Sequence, residues 1–573
     1  MLLHLVILSC VLLEYVVTEK PNIVMIIADD MGWNDVGFHS SEIPTPNIDA
    51  LAYSGIILNR HYALPTCTPS RTALLTGKYP SRLGMQGLPI LPSTPVGINL
   101  NEKLMPQYFK DLGYSTHLVG KWHVGYYTPE HFPTNRGYDS FFGYLNGFLG
   151  YYDGTHCFNN KSGLDAWRNT TKAWDEFYGK YLTTLIADEA VEIIRKHSIL
   201  GKKNGLFMVV ASPAPHRGNR EFNLEPPPIR HGQRTSNISD NNRRFYADVM
   251  KVLDDTVGDI TMALKKNGMI DNSIIVFMSD NGAPTKDTFW KIENYGSNWP
   301  LKGEKLSVHE GGVRTAAAVW ASSFIKPSEV FQGLFHISDW LPTLYTAAGG
   351  NSADLEDIDG INQWKALEVG ENIHVRKELL VDLEDVTNIE AYIKGKWKLL
   401  KNYWPNHNMA FVDNYHGMNL RGSIEYNKTE ILFSQVAMSL TENHLSDSII
   451  DRLRKEATIT QICEPQKQLE SMNNDCHTKY CLYNIEEDPC ECNDLAADNE
   501  QIVRELKSFL DHHRQQLVKQ QGKFDFDERG FPGESNYWEP WIFNASSCNV
   551  ISNLVLLFAC LIEIFLLKIM LRN

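Results

Sequence analysis

Three short runs in this chain are apolar almost without a break, Asn22 to Ala28 (NIVMIIA), Leu206 to Ala211 (LFMVVA) and Ser273 to Ser279 (SIIVFMS), and a fourth, Tyr114 to Val119 (YSTHLV), reads with them as a buried strand. A strand that alternates can wet one face, whereas a continuously apolar strand has to be covered on both. Between the runs lie helical stretches. Thr184 to His197 carries Leu185, Ile186, Ala190, Val191, Ile193 and Ile194 at helical spacing, and Asn242 to Lys266 ends at the stop signal Asn267-Gly268. Strand, helix, strand predicts an α/β fold: a mainly parallel sheet sandwiched by helices, running over residues 19–375. With 573 residues there is room for a second, smaller domain. Ala391 to Leu400 (AYIKGKWKLL) reads as a hairpin turning near Lys394-Gly395, and a polar helix follows from about Asp498 to Gln520. Residues 376–547 are therefore expected to form an α+β domain with an antiparallel sheet.

The ends point to a compartment. Leu2 to Leu13 is too short an apolar stretch to span a bilayer and reads as a signal peptide covering residues 1–18. Five N-x-[ST] triplets, at Asn160, Asn169, Asn237, Asn427 and Asn544, fit passage through the secretory pathway, and an extracellular or lysosomal destination. Residues 548–573 hold the apolar stretch Leu554 to Leu567 followed by Lys568 and Arg572, so membrane tethering is expected, through a helix or a lipid anchor. Ten cysteines in an oxidising compartment imply disulfides. Five of them, Cys463, Cys476, Cys481, Cys490 and Cys492, predict a stapled C-terminal region, with Cys490 and Cys492 too close to favour one another. The net charge of −15, with no basic run, excludes nucleic acid as a partner.

Two of the buried runs end alike, in Ala28-Asp29-Asp30 and in Ser279-Asp280-Asn281-Gly282. Ligand sites of doubly wound sheets lie at the carboxyl ends of strands. Each pair alone would pass for a helix cap or a turn. Converging there together, four oxygen-bearing side chains would repel one another unless a cation sat between them, and an all-oxygen set favours Ca²⁺ or Mg²⁺. A third element is Cys67-Thr68-Pro69-Ser70-Arg71, continuing TALLTG. Ser70 is expected to cap a helix carrying Leu74 and Leu75, with Cys67 just before its positive end.

These residues resemble the sulfatase family, and within it the arylsulfatase B-like branch. The match is to C-x-P-S-R followed by x-x-L-L-T-G, in the company of NIVMIIADDMGWNDVG, GKWHVG, SDNG and WPLKGEKLSVHEGGVR, and it extends over roughly residues 20 to 540. The resemblance implies an alkaline-phosphatase-like fold and hydrolysis of sulfate esters, with Cys67 oxidised to formylglycine by the formylglycine-generating enzyme during secretion. It further implies that Asp29, Asp30, Asp280 and Asn281 hold one Ca²⁺, with an oxygen of hydrated formylglycine at position 67 completing the shell. One hydroxyl of that hydrate is the implied nucleophile. Arg71 and Lys121 then belong to the same pocket, with Arg71 orienting the hydrate, and His123 is the candidate base for the second step. His216 resembles the leaving-group histidine at a spacing about one residue off the family's. Lys305 resembles the lysine that binds sulfate and helps protonate the leaving oxygen.

A phosphatase or phosphodiesterase of the same broad fold is the first rival, but that chemistry commonly uses Ser or Thr, two metals and several His ligands. A binding protein that kept the fold and lost activity is the second, and here every motif position is filled. As substrate, a small aryl, steroid-like or plant-derived sulfate is favoured over a long sulfated polysaccharide, which the net charge would repel. Sulfated sugar termini, as for an N-acetylgalactosamine-4-sulfatase, are the alternative. Oligomeric state is not legible.

Overall fold

The computed structural model of the chain describes residues 19–543, apart from 201–203, 220–223, 226, 229–234, 236–237, 286–293, 371–372, 403–412, 414, 416–424, 441–444, 473 and 523. The expected signal peptide and the apolar tail lie outside the described residues, as do Asn237 and Asn544. Among the described residues no helix is long and apolar enough to cross a membrane.

Ten strands form the principal sheet: β1 (Asn22–Asp29), β2 (Ile56–Leu58), β3 (Ser115–Lys121), β4 (Ser140–Tyr144), β5 (Trp167–Arg168), β6 (Thr171–Lys172), β7 (Leu206–Pro215), β8 (Ser273–Ser279), β9 (Ala317–Ala321) and β10 (Glu329–Phe331). Their order is β10-β2-β9-β8-β1-β7-β3-β4-β5-β6. The four runs are the adjacent strands β8-β1-β7-β3, parallel throughout and joined by β4. Antiparallel pairing appears only towards the edges, at β8·β9, β9·β2, β4·β5 and β5·β6.

Successive β1 side chains serve two separate cores. Val24, Ile26 and Ala28 pack with helices α1 (Pro46–Ser54), α3 (Leu182–Ile199) and α4 (Asn241–Lys266). Ile23, Met25 and Ile27 pack on the other face with α2 (Cys67–Thr76) and α5 (Trp340–Ala347). This double covering is the reason for the unbroken apolarity, each buried Ile or Leu contributing about 1.5–3 kcal/mol.

The expected hairpin is present as β12 (Glu390–Lys394) and β13 (Trp397–Lys401), the middle of an antiparallel sheet β11-β12-β13-β14 with β11 (Glu378–Leu383) and β14 (Cys481–Asn484). One face of this sheet packs on Tyr62, Val308 and Val313 from the larger unit, the other on α8 (Glu500–Gln515). That helix is shorter than the sequence predicts, stopping at Gln515. Parts of the chain beyond residue 376 return to the large sheet. Helices α6 (Gln435–Ser439) and α7 (Asp447–Ala457) bury Val436, Ile450 and Leu453 in the core of α1 and α4, and Tyr537, Trp538 and Trp541 enter the opposite core.

The C-terminal cysteines pair as Cys463–Cys492 and Cys476–Cys481, leaving Cys490 a free thiol. Cys67 and Cys157 are also unbridged.

Candidate functional site

The site lies at the carboxyl ends of the central strands. Asp29 ends β1, Asp280 and Asn281 follow β8, Lys121 ends β3, and His216 follows β7. Beyond β1 the chain turns at Asp30 with φ of 64°, a left-handed conformation that a side-chain-bearing residue adopts at a cost and that concentrates at functional sites. His123, two residues past β3, is held likewise at φ of 58°.

Helix α2 delivers Cys67 as its first residue. Ser70 does not cap this helix: its hydroxyl turns back to accept from Leu64 N (2.9 Å), because the helix has already begun three residues earlier. Thr68 ties the helix to the surrounding walls, donating to His123 O (3.0 Å) and accepting from Ile90 N (3.0 Å). No motif marked Thr68 in the sequence, where a threonine between cysteine and proline looks ordinary.

Ligating atoms of Asp29, Asp30, Cys67 and Asp280 all lie within 4.8 Å of one another, and all four residues are buried. Three cations face the three carboxylates. Lys121 Nζ lies 2.8 Å from both oxygens of Asp29, Lys305 Nζ 2.7 Å from both oxygens of Asp30, and Arg71 Nε and Nη2 donate to Asp280 at 3.1 and 2.8 Å. Lys305 Nζ also stands 3.4 Å from Cys67 Sγ. Asn281 Nδ2 donates to Asp30 (2.7 Å), while its Oδ1 is buried with no hydrogen-bond partner among the described residues. Three clustered carboxylates plus an orphaned amide oxygen fit a hard, oxygen-seeking cation. A second cluster, Cys463, Asp488 and Cys492, offers no thiolate because its two sulfurs are bonded to each other.

Burial raises the Asp29 carboxyl to about 7, although Lys121 and Arg71 oppose the rise. At Asp30 burial acts in the same direction, but Lys305, His216 and Lys121 outweigh it and hold the carboxyl below its ordinary range. The Cys67 thiol is pushed up to about 12 by burial, which Lys121 and Lys305 only partly offset. As a thiol it is therefore neutral and a poor nucleophile.

Burial, then the charge of Lys121, keeps His123 neutral, well below the usual imidazole range. Its Nε2 donates to Ile90 O (3.0 Å), which leaves an unprotonated Nδ1 with no partner among the described residues. His216 is also kept neutral by burial. Its Nδ1 donates to Arg217 O (2.8 Å) and its Nε2 lies 3.4 Å from Asp30 Oδ2, within the cluster despite the offset spacing in the sequence. Cys67, His123, His216 and Lys305 line one cleft, whose walls include Leu88, Ile90, Phe148 and Phe158 together with the polar His156, Arg217 and Glu304.

Residues 21–350, more than half of the chain, match the family model described as Sulfatase. The chain belongs to the sulfatase family. It is 36% identical over 412 residues to arylsulfatase J of Mus musculus, an alignment covering 71% of this chain and 65% of that one. It is 32% identical over 362 residues to N-acetylgalactosamine-6-sulfatase of Homo sapiens, covering 60% and 65% respectively. The chain thus spans about 65% of the length of these curated relatives. Among solved structures it superposes on Ps i-CgsB in complex with k-i-k-neocarrahexaose with a TM-score of 0.66 at 26% identity, over 87% of this chain and 94% of that one. The PsFucS1 sulfatase from Pseudoalteromonas sp. shares the fold, with a TM-score of 0.61 at 23% identity over 89% and 92%.

Proposed function

We propose that this chain hydrolyses sulfate esters, releasing inorganic sulfate and an alcohol or phenol. The observation that carries this reading is the convergence of Asp29, Asp30, Asp280 and Cys67 within 4.8 Å at the end of a largely apolar cleft. Three cations already offset the three carboxylates, so a dication added here leaves net positive charge that an anionic substrate neutralises. Asp29, Asp30, Asp280 and Asn281 would hold one Ca²⁺, a Lewis acid for the sulfate oxygens. Formylglycine made from Cys67 would supply the oxygen nucleophile that a neutral thiol cannot.

The chain's own residues have separable duties. Lys121 and Arg71 hold the carboxylates of Asp29 and Asp280 in place, and Arg71, one helical turn from position 67, orients the nucleophile. His123 accepts a proton at Nδ1, the nitrogen left open by its bond to Ile90. Lys305 Nζ, lying between Asp30 and position 67, offers a positive charge to sulfate and to the departing oxygen, and His216 acts beside it at Nε2.

The apolar cleft walls favour a small aryl, steroid-like or plant-derived sulfate over a long polyanion. A second reading, release of sulfate from sugar termini, is favoured by the name of the N-acetylgalactosamine-6-sulfatase relative. Conversion of Cys67 requires the formylglycine-generating enzyme as a partner in the secretory pathway. Two disulfides and the exposed sequon residues Asn160, Asn169 and Asn427 support that route.

The test is sulfate release from a panel of nitrophenyl, steroid and N-acetylgalactosamine 4- and 6-sulfates, with calcium and with conversion at position 67 verified. Turnover of the aryl and steroid members is expected to lead. Turnover confined to the sugar sulfates selects the second reading, and release from none refutes the hydrolase reading.

A further inference from the structure

Residues 302–313 carry Lys305 and are gripped from two sides. Towards the sheet, Lys305 N donates to Ala283 O (3.3 Å), Leu306 N to Pro65 O (2.8 Å), and Gly282 N to Gly312 O (2.9 Å). The segment is thereby joined to the turn bearing Asp280 and Asn281 and to the residue two before Cys67. The approach is backbone to backbone, since a Cβ at Gly282 would stand 2.0 Å from Gly311 O.

On the opposite side the tethers come from much later in the chain. Lys302 Nζ donates to Ser471 O (3.1 Å) and Ser307 Oγ to Asp413 Oδ1 (2.6 Å). Glu491 Oε2 accepts from His309 Nδ1 (3.0 Å) and from Glu310 N (2.8 Å). Lys398 Nζ, wholly buried, bridges Glu310 Oε1 (2.9 Å) and Glu491 Oε1 (3.1 Å). Glu491 is itself wholly buried, sits at φ of 54°, and adjoins Cys492 of the Cys463–Cys492 bridge. Such a backbone persists only where its surroundings over-determine it.

We propose that Glu491 is a positioning residue: through His309 and Glu310 it fixes the segment that holds Lys305 over Asp30 and position 67. Apart from the single turn Glu310–Val313 this segment has no helix or strand to shape it. The placement of Lys305 therefore depends on the tethers, and a donor for a departing oxygen loses effect when displaced by an ångström. The C-terminal region accordingly helps build the active site. The catalytic half of this inference rests on the sulfate-ester reading of the cleft.

Glu491→Gln keeps the size and an acceptor but removes the charge facing Lys398. Two readouts apply: hydrogen exchange across 302–313, and kcat over aryl sulfates whose leaving groups span a range of pKa. Exchange in 302–313 should quicken while β1 and β8 stay protected. The loss in kcat should reach about tenfold to a hundredfold for poor leaving groups and be smaller for good ones, as for Lys305→Ala. In the Lys305→Ala background, Glu491→Gln should cost little more, because both changes act through one ammonium group. Equal loss across leaving groups, full additivity, or unchanged exchange in 302–313 overturns the proposal. Should Glu491→Gln fail to fold, Lys398→Gln removes the other half of the ion pair and is read the same way. If the wild-type chain releases no sulfate from any ester, the hydrolase reading fails and the exchange measurement alone decides the positioning role.

Discussion

Replacing Lys121 with methionine separates structural charge balance from cation binding. Lys121 Nζ lies 2.8 Å from both oxygens of a wholly buried Asp29, and the next cation to that carboxylate, Arg71, is 3.7 Å away. A cation held by Asp29 at about 2.4 Å would sit within about 5 Å of Nζ. An ammonium and a dication at about 5 Å repel by about 7 kcal/mol at an effective dielectric constant of about 20. Relaxation and the other charges of the site reduce this to the roughly 1–3 kcal/mol usual for coupling between sites, a factor of about 5 to 150. Lys121→Met should therefore tighten Ca²⁺ binding by that factor. At pH 8 the metal-free variant should meanwhile lose up to about 3–5 kcal/mol of stability, the cost of leaving a buried charge without its partner, and less at pH 6, where the Asp29 carboxyl takes up a proton instead.

Calorimetric titration with Ca²⁺ measures the first effect, and urea unfolding in EGTA the second. The pH dependence supplies a further check. Burial raises Asp29 to about 7 even with Lys121 present. Removing a cation raises it further, so protons compete with Ca²⁺ and the gain in affinity should be larger at pH 8 than at pH 6. Unchanged or weaker Ca²⁺ binding at pH 8 would remove Asp29 from the cation's shell, and a metal-free variant as stable as wild type would refute the charge-balance argument.

Peptide mass spectrometry across residues 60–78 of active protein should find the aldehyde in place of the Cys67 thiol, and Cys67→Ala should abolish turnover; an intact thiol in fully active material would end the formylglycine reading. His123→Ala should lower kcat by about 10² to 10⁴, the usual contribution of a general base. Because burial holds His123 well below the ordinary imidazole range, its base form persists as pH falls through 6.5, and the acid limb of kcat should lie below that value. In saturating Ca²⁺, where protons no longer displace the cation from Asp29, an acid limb centred at 6.5 or above would contradict this environment.

The centre of the fold was legible because its strands are buried on both faces. β8, β1 and β7 announced themselves by unbroken apolarity, β3 less plainly because Ser115, Thr116 and His117 open it, and the hairpin of β12 and β13 by its Lys394-Gly395 turn. The edges were not. β2, β5, β6 and β10 are two or three residues long, too short to display any periodicity. The return of α6 and α7 to the large sheet was equally hidden, because a helix's apolar stripe states that it packs and not against what.

The candidate site divides in the same way. Strand ends are positions that a sequence can mark, so Asp29-Asp30 and Asp280-Asn281 could be paired across some 250 residues by a rule about sheets. Thr68 and Glu491 obey no such rule. Glu491 stands between two cysteines in a polar stretch that reads as disulfide framework, and two of its partners, His309 and Glu310, lie 182 and 181 residues before it, with Lys398 between. What sets it apart is a combination visible only in three dimensions: complete burial of a carboxylate, a left-handed backbone, and hydrogen bonds to the segment that carries Lys305. An uncompensated charge would not be tolerated there. Lys398 and the segment 302–313 must therefore be in place whenever Glu491 is, and that mutual dependence ties the geometry around Lys305 to the folding of the C-terminal sheet.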